Sequence, residues 1–319
     1  MQTPLTPLEF ARRARSLYGD REAVVDGEER WSYARFLDRC DRWSCALQRL
    51  GVAPGDRVAY IAPNTHAHLE GFYGVPQLGA AVVPLNYRLL PADWSYMVNH
   101  SGSRVLCVHA DYLDLVDTVR HEMPGVRHFV ALEGARDNWL GYERLLAEAA
   151  PAFARPEISE NDLLTINYTS GTTSKPKGVM ITHRNAWVNA VGTLIHHPMT
   201  CADRYLWTLP MFHANGWTFV WIVTAAGGTH VCARKVDAPT VYRLLGGERI
   251  TMLCAAPTVL INIAGAPEAL RAAAPRGVRV LTAGAAPAAH TIERVEEGLG
   301  WTITQVYGLT ETAPLISVC

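Results

Sequence analysis

Lysine is scarce in this sequence: only three occur among the 29 basic residues of a 319-residue chain, and the rest are arginine. Two of them, Lys175 and Lys177, flank Pro176, so compact ammonium charges are gathered in one segment while planar guanidinium forks serve elsewhere. Net charge is also nearly absent, at −1, with no basic run or aromatic-basic stripe. That removes any electrostatic reason to expect nucleic acid or an anionic membrane as partner and leaves small molecules. The seven cysteines include no CxxC pair and mostly sit in apolar stretches, which reads as reduced, buried thiols. Twelve histidines show no HExxH spacing, so a structural zinc site has no support. No stretch approaches the roughly 20 apolar residues of a bilayer span. The longest apolar run, Trp217 to Ala226, reads as a buried helix. The N-terminal MQTPLTPLEFARRARSL has no apolar signal core, and a cytoplasmic protein is expected. Short-period repeats and low-complexity tails are missing too.

What is present is an ordinary balance of 49% hydrophobic and 18% charged residues, on a chain long enough for a substantial core and two compact units. Apolar, β-branched runs alternate with amphipathic stretches, which predicts an α/β fold of parallel sheets covered by helices. AVV-DGEE-RWSY reads as a hairpin around Asp26 and Gly27, followed by a helix that puts Phe36, Leu37, Cys40, Trp43 and Leu47 on one face. RVAYIA, AAVVPL, RVLCV and HFVAL read as strands, with helices beginning near His66, Pro91 and Asp111. After the proline- and charge-bearing Pro151 to Asp162 the plan repeats with LLTIN, RYLWTLP, THVCA, ITMLCA, VRVLTAG and TITQVYG. This segment is the expected boundary between subdomains 1–155 and 156–319. The chemistry-bearing segments follow strand C-terminal ends, which in an open parallel sheet converge on one crevice.

The richest segment is YTSGTTSKPKGV, Tyr168 to Val179. Gly171 and Gly178 permit backbone conformations that turn N–H groups toward one concave point. Thr169, Ser170, Thr172, Thr173 and Ser174 add hydroxyls, and Lys175 and Lys177 add charge. Such a loop suits a polyphosphate. The apolar strand LLTI leads into it, and Thr182 is placed to cap a helix whose apolar positions are Val188, Val191, Leu194 and Ile195. It is not a Walker loop, because Val179 and Met180 follow Gly178 where a Lys-Ser/Thr pair would be required.

This loop resembles the phosphate-loop signature of the AMP-forming adenylating enzymes, the superfamily of acyl-CoA synthetases, luciferase and peptide-synthetase adenylation domains. Three further segments agree in order: LPMFHANGW (Leu209 to Trp217) with the acyl-site segment, TAGAAP (Thr282 to Pro287) with the adenine-side loop, and YGLTET (Tyr307 to Thr312) with the nucleotide and magnesium motif. Weaker likeness extends to RWSYARF near Trp31 and GAAVVPLNYRL from Gly79, so the resemblance covers essentially the whole chain. It implies two α/β sandwich subdomains facing a shared cleft, with the family's C-terminal domain, hinge and catalytic lysine lying beyond Cys319. Short to medium fatty acids and related small carboxylates are the implied substrates.

Adenylation joins a carboxylate oxygen to the α-phosphorus of ATP and releases pyrophosphate, so phosphate charge must be neutralised. The resemblance implies ATP, Mg2+ and CoA as cofactors. It places Thr169 to Thr173 and Lys177 on the β and γ phosphates, Thr310 on the α-phosphate, Glu311 on magnesium, and Tyr307 against adenine with Gly308 beside it. Gly284, Ala285, Ala286 and Pro287 would border the base and the acyl chain. His213 would sit by the substrate carboxylate, in a positioning role because that carboxylate is already ionised near neutral pH. Gly216 and Trp217 would line the acyl pocket, with simple packing as the competing role for Trp217. A homodimer is also consistent with the resemblance. Two rival readings are an adenylating enzyme with another acceptor and a non-catalytic nucleotide- or acyl-binding fragment.

Overall fold

A computed structural model describes residues 3–169 and 175–319. Fifteen strands run through the described chain: β1 (Glu22–Asp26), β2 (Glu29–Ser32), β3 (Arg57–Ile61), β4 (Ala81–Leu85), β5 (Val105–Val108), β6 (His128–Ala131), β7 (Leu140–Gly141), β8 (Leu163–Thr169), β9 (Lys177–Thr182), β10 (Arg204–Trp207), β11 (Thr229–Cys232), β12 (Met252–Cys254), β13 (Arg279–Thr282), β14 (Thr302–Gly308) and β15 (Leu315–Val318). They form a seven-stranded sheet, ordered β7-β6-β5-β3-β4-β8-β9, and an eight-stranded sheet, ordered β15-β14-β13-β12-β10-β11-β1-β2. Pairing is parallel except at the outermost pairs β1–β2, β8–β9 and β14–β15. The α/β class and the runs read as strands are therefore present.

The division of the chain is not where the sequence placed it. β1 and β2 cross into the eight-stranded sheet, where Val24 pairs with His230, and β8 and β9 complete the seven-stranded sheet, where Val82 pairs with Thr165. A boundary at 155/156 separates neither sheet. The apolar segment after Lys177 is a strand rather than loop, and it pairs antiparallel with β8 so that Thr169 stands opposite Lys177.

Helices fill the space between and around the sheets. Ser32 and Thr65 cap helices Tyr33–Arg49 and His66–Gly74 by accepting from the N–H groups of Arg35 and His68. All nine residues of the second are buried, as are most of Phe219–Ala226, the expected buried helix. Phe72 and Tyr73 meet Trp221 edge-on at 5.8 and 5.3 Å. Each such side chain contributes about 1.5–3 kcal/mol by leaving water. Thr182 caps helix His183–His196 as expected, but the apolar face does not: Val188 and Ile195 are exposed, and the buried positions are His183, Ala186, Ala190 and Thr193. Small side chains let this helix lie close to its bulky neighbours, Leu194 packs partly against the core, and Val188 and Ile195 face outward. No helix among the described residues is long and apolar enough to cross a membrane.

A buried charge network joins the halves. Arg39 donates to Glu70 at 2.5 and 3.3 Å, Tyr142 donates to the same carboxylate at 2.5 Å, and Arg39 also donates to Glu143 at 2.9 Å. Asp26 of β1 accepts from the backbone N–H of His66 at 3.1 Å, contacts its Nδ1 at 2.7 Å, and accepts from Arg234 at 3.1 Å. Burial alone would raise the Asp26 pKa, but hydrogen bonds from His66 and Arg234 outweigh it and bring it to about 2. Burial likewise would lower His66, and its bonds to Asp26 and Glu143 instead raise it to about 9. His66 is therefore cationic at neutral pH.

Removing one partner strands the others in low dielectric. Asp26→Asn should destabilise the fold by about 3–5 kcal/mol in urea denaturation. Because the folded pKa of His66 lies above its ordinary 6.5, its contribution is complete below 6.5 and is lost as pH rises toward about 9. An alkaline loss of stability across that window, absent in His66→Gln, is the expected result; equal slopes in both proteins would remove His66 from the account.

Candidate functional site

The C-terminal ends of β4, β10, β12, β13 and β14 open on a cleft of about 320 Å³. Asn86 and Arg88 follow β4 of the seven-stranded sheet. From the facing sheet come His213 and Trp217 after β10, Gly284 after β13, and Gly308 and Thr310 at the end of β14. Leu209, Phe212, Ala256 and Leu315 make most of the remaining wall apolar. A separate pocket of about 270 Å³ lies under the N-terminal helix, where Arg15 and Arg155 are already paired with Asp41.

The His213 segment has an unusual backbone. Ala214, Asn215, Gly216, Trp217 and Thr218 have φ of 39°, 51°, 54°, 49° and 72°, a turn of left-handed helix made almost wholly of residues with a Cβ. Each non-glycine residue there costs roughly 1–2 kcal/mol, so the surroundings must hold it. Asn215 donates to Thr165 of β8 at 2.9 Å, and Thr218 donates to Asn189 at 3.0 Å and to the Ala313 carbonyl at 3.2 Å. The turn leaves the His213 imidazole open to the cleft and Trp217 as a nearly buried wall. Apolar surroundings desolvate His213 and hold its pKa below the ordinary value, so at neutral pH it is an uncharged hydrogen-bonding group. Gly216 does not line the cleft. A Cβ there would stand 2.4 Å from the Trp207 ring, so this glycine is required by packing.

YGLTET ends β14 and turns back through a short 3-10 segment, Thr310–Thr312, into β15. Gly308 is dictated by a close approach: a Cβ would lie 2.1 Å from the Pro314 carbonyl oxygen. The Thr312 hydroxyl accepts from the Leu309 N–H at 3.0 Å and closes the turn. Thr310 faces the cleft, whereas the exposed Glu311 borders an adjoining cleft, of about 700 Å³, along helix His183–His196. Glu311 has no ion-pair partner among the described residues. A single exposed carboxylate fits magnesium, which keeps several waters and takes its other ligands from phosphates. Tyr307 is 56% exposed and does not line the cleft. Gly284 does, with no atom within 4 Å of where a Cβ would stand. Ala285 and Ala286 are exposed beside it and Pro287 is buried.

Ser170, Gly171, Thr172, Thr173 and Ser174 lie outside the described residues. Thr169 is half-buried at the end of β8, Lys177 is exposed at the start of β9, and the Lys175 ammonium lies 5.4 Å from the Tyr96 ring centroid. Sequence reasoning gave no role to Asn86, Arg88 or Asn189. The first two stand in the segment noted for its family likeness. Asn189 is a helix position whose side chain donates to the Leu315 carbonyl at 2.8 Å and accepts from Thr218, and nothing in its sequence neighbourhood marks it.

The chain belongs to the AMP-binding enzyme family, which matches residues 10–319. It is 39% identical to the 4-hydroxybutyrate–CoA ligase 2 of Metallosphaera sedula, over 99% of this chain and 59% of that protein. It is 33% identical to the peroxisomal butyrate–CoA ligase AAE11 of Arabidopsis thaliana, over 99% and 58%. The chain thus spans somewhat more than half the length of these curated relatives. Among solved structures, the inhibitor-bound N-terminal domain of FACL13 from Mycobacterium tuberculosis superposes with a TM-score of 0.88 at 30% identity, covering 97% of this chain and 77% of that one.

Gly308→Ala should force Pro314 away and cost about 1–3 kcal/mol in urea denaturation. Gly298→Ala, in the exposed last turn of helix Ala289–Leu299 with nothing within 4 Å of the added Cβ, should be neutral or slightly stabilising. Equal stability of the two variants would contradict the close approach.

Proposed function

We propose that this chain is the part of an AMP-forming acid–CoA ligase that binds ATP, magnesium and a small carboxylic acid, and that joins acid to nucleotide. The observation that supports it is the meeting of His213, Trp217, Gly284, Gly308 and Thr310 at one cleft, in a chain of the AMP-binding enzyme family. In this reading a carboxylate oxygen forms a bond to the α-phosphorus of ATP, and the bond from that phosphorus to the pyrophosphate oxygen breaks. The Thr310 hydroxyl donates to the α-phosphate. The loop Thr169 to Thr173 with Lys177 holds the outer phosphates, Glu311 holds magnesium, and Tyr307 with Gly284 to Pro287 borders the base. Neutral His213 positions the acid without removing a proton from it. Trp217 favours an acyl chain by about 0.8 kcal/mol per methylene covered.

The relatives' names point to short acids such as butyrate and 4-hydroxybutyrate, with CoA as the acceptor that completes a thioester. The cytoplasmic location expected from the sequence and a homodimer belong to this proposal as well, and the peroxisomal label of the plant relative marks the competing location.

The test is acid-dependent exchange of labelled pyrophosphate into ATP, beside a direct titration with ATP. Slow exchange that requires butyrate and falls about 10²-fold in Thr310→Ala supports adenylation. ATP binding without exchange would replace the reading with a binding fragment, and loss of both would place the nucleotide site elsewhere. Trp217→Ala should shift the preferred acid to a longer chain; an unchanged preference would make Trp217 a packing residue.

A further inference from the structure

The cleft contains one fixed charge. Among its lining residues Arg88 is the sole guanidinium or ammonium, no lining residue carries a carboxylate, and His213 is held neutral by desolvation. Arg88 is exposed and has no carboxylate within 4 Å among the described residues. Among the described residues its guanidinium reaches only the Tyr87 hydroxyl, at 3.2 Å, and lies 5.2 Å from the Tyr87 ring centroid.

Its backbone, in contrast, is fixed. The Asn86 side chain accepts from the Arg88 N–H at 3.0 Å, and the Asn86 carbonyl accepts from the Trp94 indole at 2.9 Å. Tyr87 meets Phe212 edge-on at 5.5 Å, so the segment carrying Arg88 is packed against the one carrying His213. A rooted arginine with an uncommitted fork, in a largely apolar cleft, is arranged to take a planar anion through two parallel hydrogen bonds. Such a wall would not tolerate a carboxylate without a partner, because desolvating the ion alone costs several kcal/mol.

We propose that Arg88 receives the carboxylate of the incoming acid, and that it is a positioning residue for the acid rather than for the nucleotide. The choice of carboxylate over phosphate follows from the wall, where Leu209, Phe212, Trp217 and Leu315 offer apolar surface for an acyl chain. It deepens the ligase reading but concerns binding alone, so it is testable where no exchange occurs.

The experiment is a calorimetric titration with butyrate, with the uncharged butyramide, and with ATP and pyrophosphate. A charge-assisted bond predicts that the wild-type chain prefers butyrate to butyramide by about 10-fold or more. Arg88→Ala should abolish that preference and leave ATP affinity within about two-fold, and Arg88→Lys should restore part of it, since an ammonium supplies charge without the fork. Unchanged thermal unfolding in both variants separates this from a folding effect. Persistence of the preference in Arg88→Ala overturns the proposal, as does its absence in the wild type. Loss of ATP or pyrophosphate binding with acid discrimination intact would assign Arg88 to the phosphates instead. Failure of the ligase reading would show only in the pyrophosphate exchange.

Discussion

The facing of the two sheets depends on a carboxylate that belongs to one and is satisfied by the other. Asp26 ends β1 of the eight-stranded sheet, and its partner His66 opens the helix that follows β3 of the seven-stranded sheet. One turn further along, Glu70 is buried and held by Arg39 and Tyr142. Buried ions of this kind add little net stability compared with apolar residues of the same shape. What they carry is geometry, because the 2.7 Å contact between Asp26 and His66 joins an element of one sheet to an element of the other. With the sheets so placed, Asn86 and Arg88 on one side and the β10, β12, β13 and β14 ends on the other enclose a single cleft.

Strain enters where the chemistry is expected. Five consecutive positive φ values after His213 persist because Thr165, Asn189 and the Ala313 carbonyl hold the turn from three directions. Asn189 also grips β15 through the Leu315 carbonyl, so the His213 turn and the YGLTET turn share an anchor. The two motifs are distant in sequence and yet mechanically joined through one amide side chain.

The strands were legible because buried parallel strands are short, continuous apolar runs, and LLTIN, VRVLTAG and TITQVYG offer no competing periodicity. The Lys177–Thr182 strand was not, because its lysine, glycine and threonine weaken the apolar signal and an exposed edge needs little of it. The sheet exchange of β1 and β8 was invisible to local pattern, since nothing within a strand names its partner. Among site residues, His213, Trp217, Gly284 and Thr310 reach the cleft from segments singled out by their resemblance to the family's motifs and by their place at strand C-terminal ends. Gly216 and Gly308 are each demanded by a close approach, to the Trp207 ring and to the Pro314 carbonyl, and local sequence does not distinguish such a glycine from one kept for a ligand. Glu311 was given its role by the family resemblance, and one residue past Thr310 in the turn it borders the neighbouring groove.

The exchanged hairpins make the chain a lock rather than two beads. Val24 must wait for His230 before the eight-stranded sheet gains its β1 edge, while the seven-stranded sheet takes its last two strands from beyond its own helices. The eight-stranded sheet cannot be completed from a contiguous stretch of polypeptide, because the whole seven-stranded sheet, residues 57–182, lies between its β2 and β10. During synthesis the early apolar strand AVV therefore emerges well before its parallel partner, a long-range closure of the kind that slows folding and exposes sticky edges. A cut at the proline-rich segment would leave each half with a sheet edge whose partner sits on the other.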